Sequence, residues 1–248
     1  MNFQKSHSSN TPQLDGVLLV DKPRGCTSHD IVEFVRRRYK FAKVGHCGTL
    51  DPLATGLLML GIGKATKVQD LLMAEDKIYA GTMKLGQTTA SQDADGQVEE
   101  EKPVPAFTQA QIEEAFNKYV GDFYQTPPMV SALKQGGVPL YKLAREGKTV
   151  HREPRLITVY WYKLLGISLP HIRFEIRCTK GFYVRTYCHD IGQDMGTGAH
   201  LTELTRLQSG NFTLDRAVGW EQLQQISEVG ELVPHILSLA EVSKLRRQ

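Results

Sequence analysis

Residues 43–63, KVGHCGTLDPLATGLLMLGIG, place one carboxylate, Asp51, between a glycine-rich entry and a long apolar exit. Proline follows Asp51 directly, and a residue before proline is held to extended backbone angles. Gly45, Gly48 and Gly56 let backbone approach a ligand closely, and the apolar run anchors the loop to the core. A carboxylate fixed in this way suits a nucleophile or a general base. The same Asp-Pro pair also suits a turn closed by the aspartate's own side chain, and the residues alone leave both readings open.

Other side chains are equally two-sided. Tyr79 and Tyr183 fit core aromatics or base-stacking platforms. Arg185, where KGFYVRT turns from strand to helix, fits a surface residue or an inward guanidinium that keeps a carboxylate ionised. Lys22 and Pro23 in VDKP form a turn, and His46 is a loop histidine. His46 beside Cys47 suggests metal or thiol chemistry. Adjacent loop side chains diverge, however, and no second ligand pair has zinc-site spacing, so no metal is expected.

The elements that must position these groups are legible in outline. GVLLVDKPRG reads as a buried strand ending in a Lys-Pro turn. TSHDIVEFVRRRYK reads as a helix with a capping-box start at Thr27 and Asp30 and an apolar stripe of Ile31, Phe34 and Val35. GLLMLGIG is a strand bounded by glycines, and KATKVQDLLMA a short helix. KIYAGTMKLG alternates as a strand, with Tyr79, Gly81 and Met83 on one side. Residues 87–106 are polar, acidic and proline-punctuated, which predicts a loop or insertion. TQAQIEEAFNKYVG is a helix capped by Thr108 and Gln111. QTPPMVSALKQGG is extended because its two prolines forbid a helix, and YKLAREG makes one or two helical turns. RLITVYWYKLLGISL and HIRFEIRCTKG pair as strands, YVRTYCHDIGQDMG is a helix ending near Gly196, and LTELTRLQSGNF returns to a strand or turn. Strands and helices mix without regular βαβ alternation. The fold class expected is therefore α+β, with a mixed, largely antiparallel central sheet flanked by helices and loops.

With 248 residues the chain can bury a sizeable core, and 41% hydrophobic with 23% charged residues is the composition of a globular protein. No apolar run reaches membrane-spanning length and residues 1–13 lack a signal core, so a cytoplasmic protein with reduced Cys26, Cys47, Cys178 and Cys188 is expected. Net charge is only +3. Its distribution is more telling. Arg36, Arg37, Arg38, Lys40 and Lys43 cluster, and Lys134 to Arg155 holds six basic against two acidic residues. Such patches suit phosphate contacts, although a solvated helix face explains any single one.

Taken together, GVLLVDKPRGCTSHDIV, KVGHCGTLDPLATGLLMLGIGKATK, KIYAGTMKLGQTTASQDADGQV, QTPPMVSALKQGGVPLYKLAREG and CTKGFYVRTYCHDIGQDMGTGAHLTELTRLQSGNF occur in one order. From about Asp15 to about Leu239 the chain closely resembles the bacterial tRNA pseudouridine-55 synthase family, the TruB type. The resemblance implies the pseudouridine synthase fold and isomerisation of a T-loop uridine, in which the N1–C1′ bond breaks and the base rejoins through C5. Asp51 falls on the family's catalytic aspartate, Tyr79 on the tyrosine that stacks on the base and is placed for proton transfer, and Arg185 on the arginine paired with the carboxylate. Tyr183 and Leu204 fall on pocket residues. His46 falls on the histidine that enters the T-loop, and Lys22 and Pro23 on a motif that helps to build the site. No cofactor or metal is implied. The partner is the tRNA T-arm, met by a monomer without an obligate protein partner or a membrane.

The expected domain plan is a flexible tail over 1–13 and one catalytic domain over 14–248, with 87–106 and 128–155 as loop or insertion segments contacting RNA. Family members commonly carry a C-terminal RNA-binding PUA domain, for which the stretch ending AEVSKLRRQ is too short. Pro128 to Arg155 is therefore expected to bear more of the backbone contact. Two other readings are a non-catalytic tRNA-binding or folding protein and a guide-RNA-dependent synthase subunit. A hydrolase using Asp51 as nucleophile lacks a second carboxylate to activate water.

Overall fold

The computed structural model describes residues 14–247, and the tail expected over 1–13 lies outside the described residues. In chain order the strands are β1 (Gly16–Lys22), β2 (Val44–His46), β3 (Thr55–Ile62), β4 (Lys77–Leu85), β5 (Gln87–Thr89), β6 (Val98–Glu101), β7 (Gly121–Gln125), β8 (Lys134–Gln135), β9 (Val138–Pro139), β10 (Arg155–Ser168), β11 (His171–Cys178), β12 (Ala199–Ser209), β13 (Phe212–Thr213), β14 (Val218–Gly219) and β15 (Ile236–Leu237). The helices are α1 (Ser28–Arg38), α2 (Gln69–Met73), α3 (Gln109–Asn117), α4 (Leu140–Arg145), α5 (Val184–Asp194), α6 (Trp220–Gln225), α7 (Val229–Leu232) and α8 (Leu239–Arg246).

One mixed sheet organises the chain, in the order β14-β1-β3-β12-β4-β11-β10-β7, with β2 on β3, β13 on β12 and β15 on β1. Its ladders are antiparallel except β1 with β14 and β3 with β12. The late strand β12 enters between the early strands β3 and β4 and joins the two halves of the sheet.

The two halves explain two kinds of strand sequence. In β1 and β3 both faces are covered. Leu18, Val20, Leu58 and Leu60 pack into the main core, while Val17, Leu19, Leu57 and Met59 pack into a second cluster with Ala65, Leu72, Phe212 and Val242. A strand buried on both sides reads as a continuous apolar run, as GLLMLGIG does. In β11 the core takes Ile172, Phe174, Ile176 and Cys178, and the residues between them turn outward. That is the alternation of a sheet wet on one face.

The capping boxes form as the sequence implies. Thr27 and Asp30 close the start of α1, and Thr108 and Gln111 close the start of α3. Two expectations need correction. KATKVQDLLMA is a 3-10 turn over Gly63–Val68 followed by the short α2. The stretch 87–106 is no plain loop, because β5 and β6 pair across it and its tip returns to the sheet, with Ala94 N donating to Leu201 O at 2.9 Å.

Helix α5 is buried along most of one side, and Asp190 is drawn partly into that interior. Burial first, and Asp194 beside it second, push its carboxyl up to about 6. A carboxyl raised in the folded state costs nothing below its unfolded value near 3.8, and its penalty grows until pH passes about 6. Asp190→Asn is thus expected to stabilise the fold by about 1–3 kcal/mol at pH 7.5 and to change it little near pH 4. Urea unfolding at the two pH values checks this.

Candidate active site

Asp51 sits on a loop pinned from several sides. The Ser28 hydroxyl donates to Leu50 O at 3.0 Å and accepts from Leu50 N at 2.8 Å. Ala54 N donates to Asp51 O at 3.1 Å, closing a turn over Pro52. Gly25 N donates to Pro52 O at 2.8 Å, tying the KPRG turn to the same loop. Gly48 adopts φ +106°, a backbone that favours glycine. A turn does form at Asp51, but the backbone closes it rather than the aspartate's own side chain, which is left free for a partner.

That partner is Arg185, in the first turn of α5 and only 3% exposed. Its Nε donates to Asp51 Oδ2 at 2.9 Å and lies 3.5 Å from Asp93 Oδ2. Nη1 donates to Ser91 O at 2.7 Å and Nη2 to Val130 O at 2.8 Å. One guanidinium thus joins the Asp51 loop, the β5–β6 connection and the segment after Pro128. Asp93 is a neighbour of this pair that sequence reasoning missed. Its carboxyl is held above the ordinary aspartate range chiefly by burial, while a hydrogen bond from Ser91 and the charge of Arg185 oppose that rise.

A cavity of about 340 Å³ opens beside Asp51. Tyr79, Tyr183, Arg185 and Leu204 line it with Asp51, and so do Lys77, Arg206 and Ser131 to Leu133. Tyr183 is fixed by an amide clamp, its N donating to Gln125 Oε1 at 2.8 Å and its O accepting from Gln125 Nε2 at 3.1 Å. Burial pushes the phenols of Tyr79 and Tyr183 up. Lys77 and Arg206, both buried, were not singled out from the sequence.

Three expected residues, Lys22, Pro23 and His46, are not among those that line this cavity. Lys22 is fully buried, and its ammonium donates to Pro23 O at 2.9 Å and Cys26 O at 2.8 Å. It therefore braces the turn beneath Asp51, with Pro23 supplying one carbonyl. His46 is on β2, opposite Leu60, and burial lowers its imidazole below the ordinary histidine value. Its Nδ1 is buried without a hydrogen-bond partner. Cys47 diverges from it into the second core cluster, and burial raises its thiol to about 11. Among the described residues no group of three His, Cys, Asp or Glu side chains is placed to hold a metal ion.

The strand crossing behind the cavity leaves no room for a side chain at Gly56. Its φ is +94°, and a Cβ there meets Arg206 O at 2.5 Å and Arg206 N at 2.9 Å. Gly56→Ala is expected to cost at least about 2 kcal/mol, read as a lower urea midpoint, with a larger fractional loss of activity because the Asp51 loop and β12 move apart.

Residues 36–184 match the TruB family pseudouridylate synthase N-terminal domain, and residues 185–242 the tRNA pseudouridylate synthase B C-terminal domain. The chain is 52% identical over 214 residues to tRNA pseudouridine synthase B of Opitutus terrae, covering 86% of this chain and 89% of that one. It is 45% identical to the synthase of the same description from Geobacter sulfurreducens, covering 91% and 74%. Among solved structures, a chain of a Cbf5–Nop10–Gar1 complex superposes with TM-score 0.66 at 30% identity. A chain of an H/ACA RNP bound to a substrate RNA containing 2′-deoxyuridine superposes with TM-score 0.63 at 26% identity. The chain covers 54% and 52% of those two chains, about half their length. Matches over consecutive stretches of the chain, on a fold that brings Asp51 and Arg185 together at one cavity, lead to one assignment: the chain belongs to the TruB family of pseudouridylate synthases.

Proposed function

We propose that this chain converts uridine to pseudouridine at position 55 in the T-loop of tRNA, with Asp51 as the reacting carboxylate. The observation that carries the reading is the Asp51–Arg185 contact at 2.9 Å, between groups 134 residues apart in sequence, on the wall of a cavity large enough for a base. Asp51 is 39% exposed on its side chain whereas Arg185 is 3% exposed. The carboxylate is therefore open to an incoming ribose, and the guanidinium that orients it is not.

The physical sequence follows from the walls. A uracil stacked in a loop is beyond the reach of Asp51, and extruding it costs a few kcal/mol that contacts in the pocket must offset. Tyr79 offers an aromatic face, and Leu204 and Tyr183 exclude water. His46, on β2 and partly exposed, is the group assigned to the space the base vacates. Asp51 then attacks the sugar or takes a proton, the N1–C1′ bond breaks, the base turns, and C5 bonds to C1′. Arg185 holds the carboxylate aimed at the cavity. The reaction consumes no oxidant, reductant or water. The basic stretch 134–155, which carries the β8–β9 hairpin and α4, supplies phosphate contacts along the T-stem.

The test is an unmodified tRNA transcript incubated with pure protein and no guide RNA, followed by pseudouridine mapping. Product at the T-loop uridine supports the proposal. Binding without product would favour a tRNA-folding protein, and dependence on an added guide RNA would favour a guided subunit.

A further inference from the structure

Among the described residues Arg206 is the largest side chain with under 2% exposure, and no carboxylate there pairs with its charge. Among the described residues its hydrogen bonds go to backbone: Nε donates to Leu57 O at 2.7 Å and Nη2 to Gly48 O at 3.2 Å. A buried guanidinium without an anionic partner is costly, so its place on the cavity wall calls for a chemical reason. The neighbour that supplies one is Tyr79. Arg206 and Tyr79 are register partners across β12 and β4, so their side chains leave the sheet on one face. Both side chains line the Asp51 cavity, and the positive charge of Arg206 favours an ionised phenol.

We propose that Arg206 is a positioning residue for Tyr79, holding the phenol oxygen in place and supplying the positive charge that lets this oxygen accept the C5 proton late in the isomerisation. The inference rests on the proposed function. Once C5 has bonded to C1′, the base carries a tetrahedral C5 and a C6=N1 double bond. As the Tyr79 oxygen takes the C5 proton, its own proton passes to solvent. The C5–H electron pair closes C5=C6, the C6=N1 pair moves to N1, and N1 takes one proton from solvent. No proton is gained or lost overall.

The other charged and titratable groups around the phenol leave this task to Arg206. Cys178 from β11 and Asp51 from its loop both disfavour a phenolate, as does burial, and Arg206 alone among the groups acting on Tyr79 favours it. Lys77, two residues before Tyr79, gives its ammonium to Met73 O at 2.6 Å and Glu75 O at 2.5 Å. Burial and the charge of Arg206 bring it down to about 8. The strand thus carries a second cation that is weakened by the first, which leaves Arg206 as the lasting positive charge.

The experiment uses tRNA transcripts carrying uridine or 5-deuterouridine, in single turnover, with the wild type, Arg206→Gln, Arg206→Lys, Tyr79→Phe and the Tyr79→Phe/Arg206→Gln double variant. Arg206→Gln is expected to slow the rate by about 10²–10³-fold while tRNA affinity holds, and to raise the C5 deuterium isotope effect above that of the wild type. Arg206→Lys recovers most of the rate. The double variant is no slower than Tyr79→Phe, because both changes disable one proton transfer. A rate loss with an unchanged isotope effect, or losses that simply multiply in the double variant, would overturn the inference. Should Arg206→Gln fail to fold, Arg206→Lys decides alone: a partial rate loss with a raised isotope effect supports the role, and no isotope change sinks it. A wild type that makes no pseudouridine removes the underlying function instead.

Discussion

Asp51→Asn is expected to abolish pseudouridine formation, with a single-turnover rate lower by about four orders of magnitude or more, while tRNA affinity changes no more than a few-fold. The substitution keeps the size of the side chain and its hydrogen bond with Arg185, because an amide oxygen still accepts from Nε. It removes only the negative charge and one carboxylate oxygen. The loop is held by Ser28, by the KPRG turn and by the Ala54–Asp51 contact, none of which uses the carboxylate, so the fold is expected to stay intact. Filter binding and mapped product, measured on one preparation, separate the outcomes. Substantial residual turnover would move the reacting group elsewhere in the cavity.

Arg185→Met is expected to damage both stability and rate. The guanidinium makes four polar contacts, to Asp51, Asp93, Ser91 and Val130, and methionine replaces none of them. Removing one partner from a buried ionic cluster leaves the others uncompensated, an effect of roughly 3–5 kcal/mol. Because Asp51 is partly open to water, a loss near 3 kcal/mol is expected in urea unfolding. Asp93, whose carboxyl is already held high by burial, loses the opposing charge of Arg185 and takes up a proton more readily. The rate is expected to fall about a thousandfold near pH 7 and to recover in part as pH rises and Asp93 gives that proton up. Arg185→Lys restores charge but not the fork that reaches two carbonyls, so it recovers only part of the rate. A rate that tracks stability alone and shows no pH-dependent recovery would reduce Arg185 to a structural brace.

Most of the framework was legible because its signals are local. The capping boxes at Thr27 and Thr108, the glycine-bounded apolar run of β3 and the alternation in β11 each depend on neighbours a few residues away. The Asp51 loop was legible for the same reason, since proline and glycine announce its backbone. Asp93 was not. Its segment is polar and acidic, and nothing in SQDADG shows that a β5–β6 pairing will fold its tip back against α5. Arg206 escaped for a different reason. Register shifts between Leu201 and Glu203, and again between Arg206 and Gln208, break the period of two in LTELTRLQ, so simple alternation misassigns the face. A basic residue in a strand that otherwise buries leucines is the signal that could have found it. Lys77 was hidden because a lysine at a strand's first position ordinarily points to water.

Strand β12 leaves the ribosome long after the strands it must join. Until residues 199–209 are synthesised, the β4 edge and the Thr55–Gly56 end of the β3 edge that β12 will join have no partner in the nascent chain, while β2 already covers the far end of the β3 edge, and unpaired edges invite association with other chains. The parallel seam with β3 is short, Thr205 with Thr55 and Arg206 with Gly56, whereas the antiparallel ladder with β4 runs the length of β12. The reactive centre spans that seam and so comes into being only with it. A truncated translation product ending before β12 is destined for holdase chaperones or proteolysis, and it carries no partial activity.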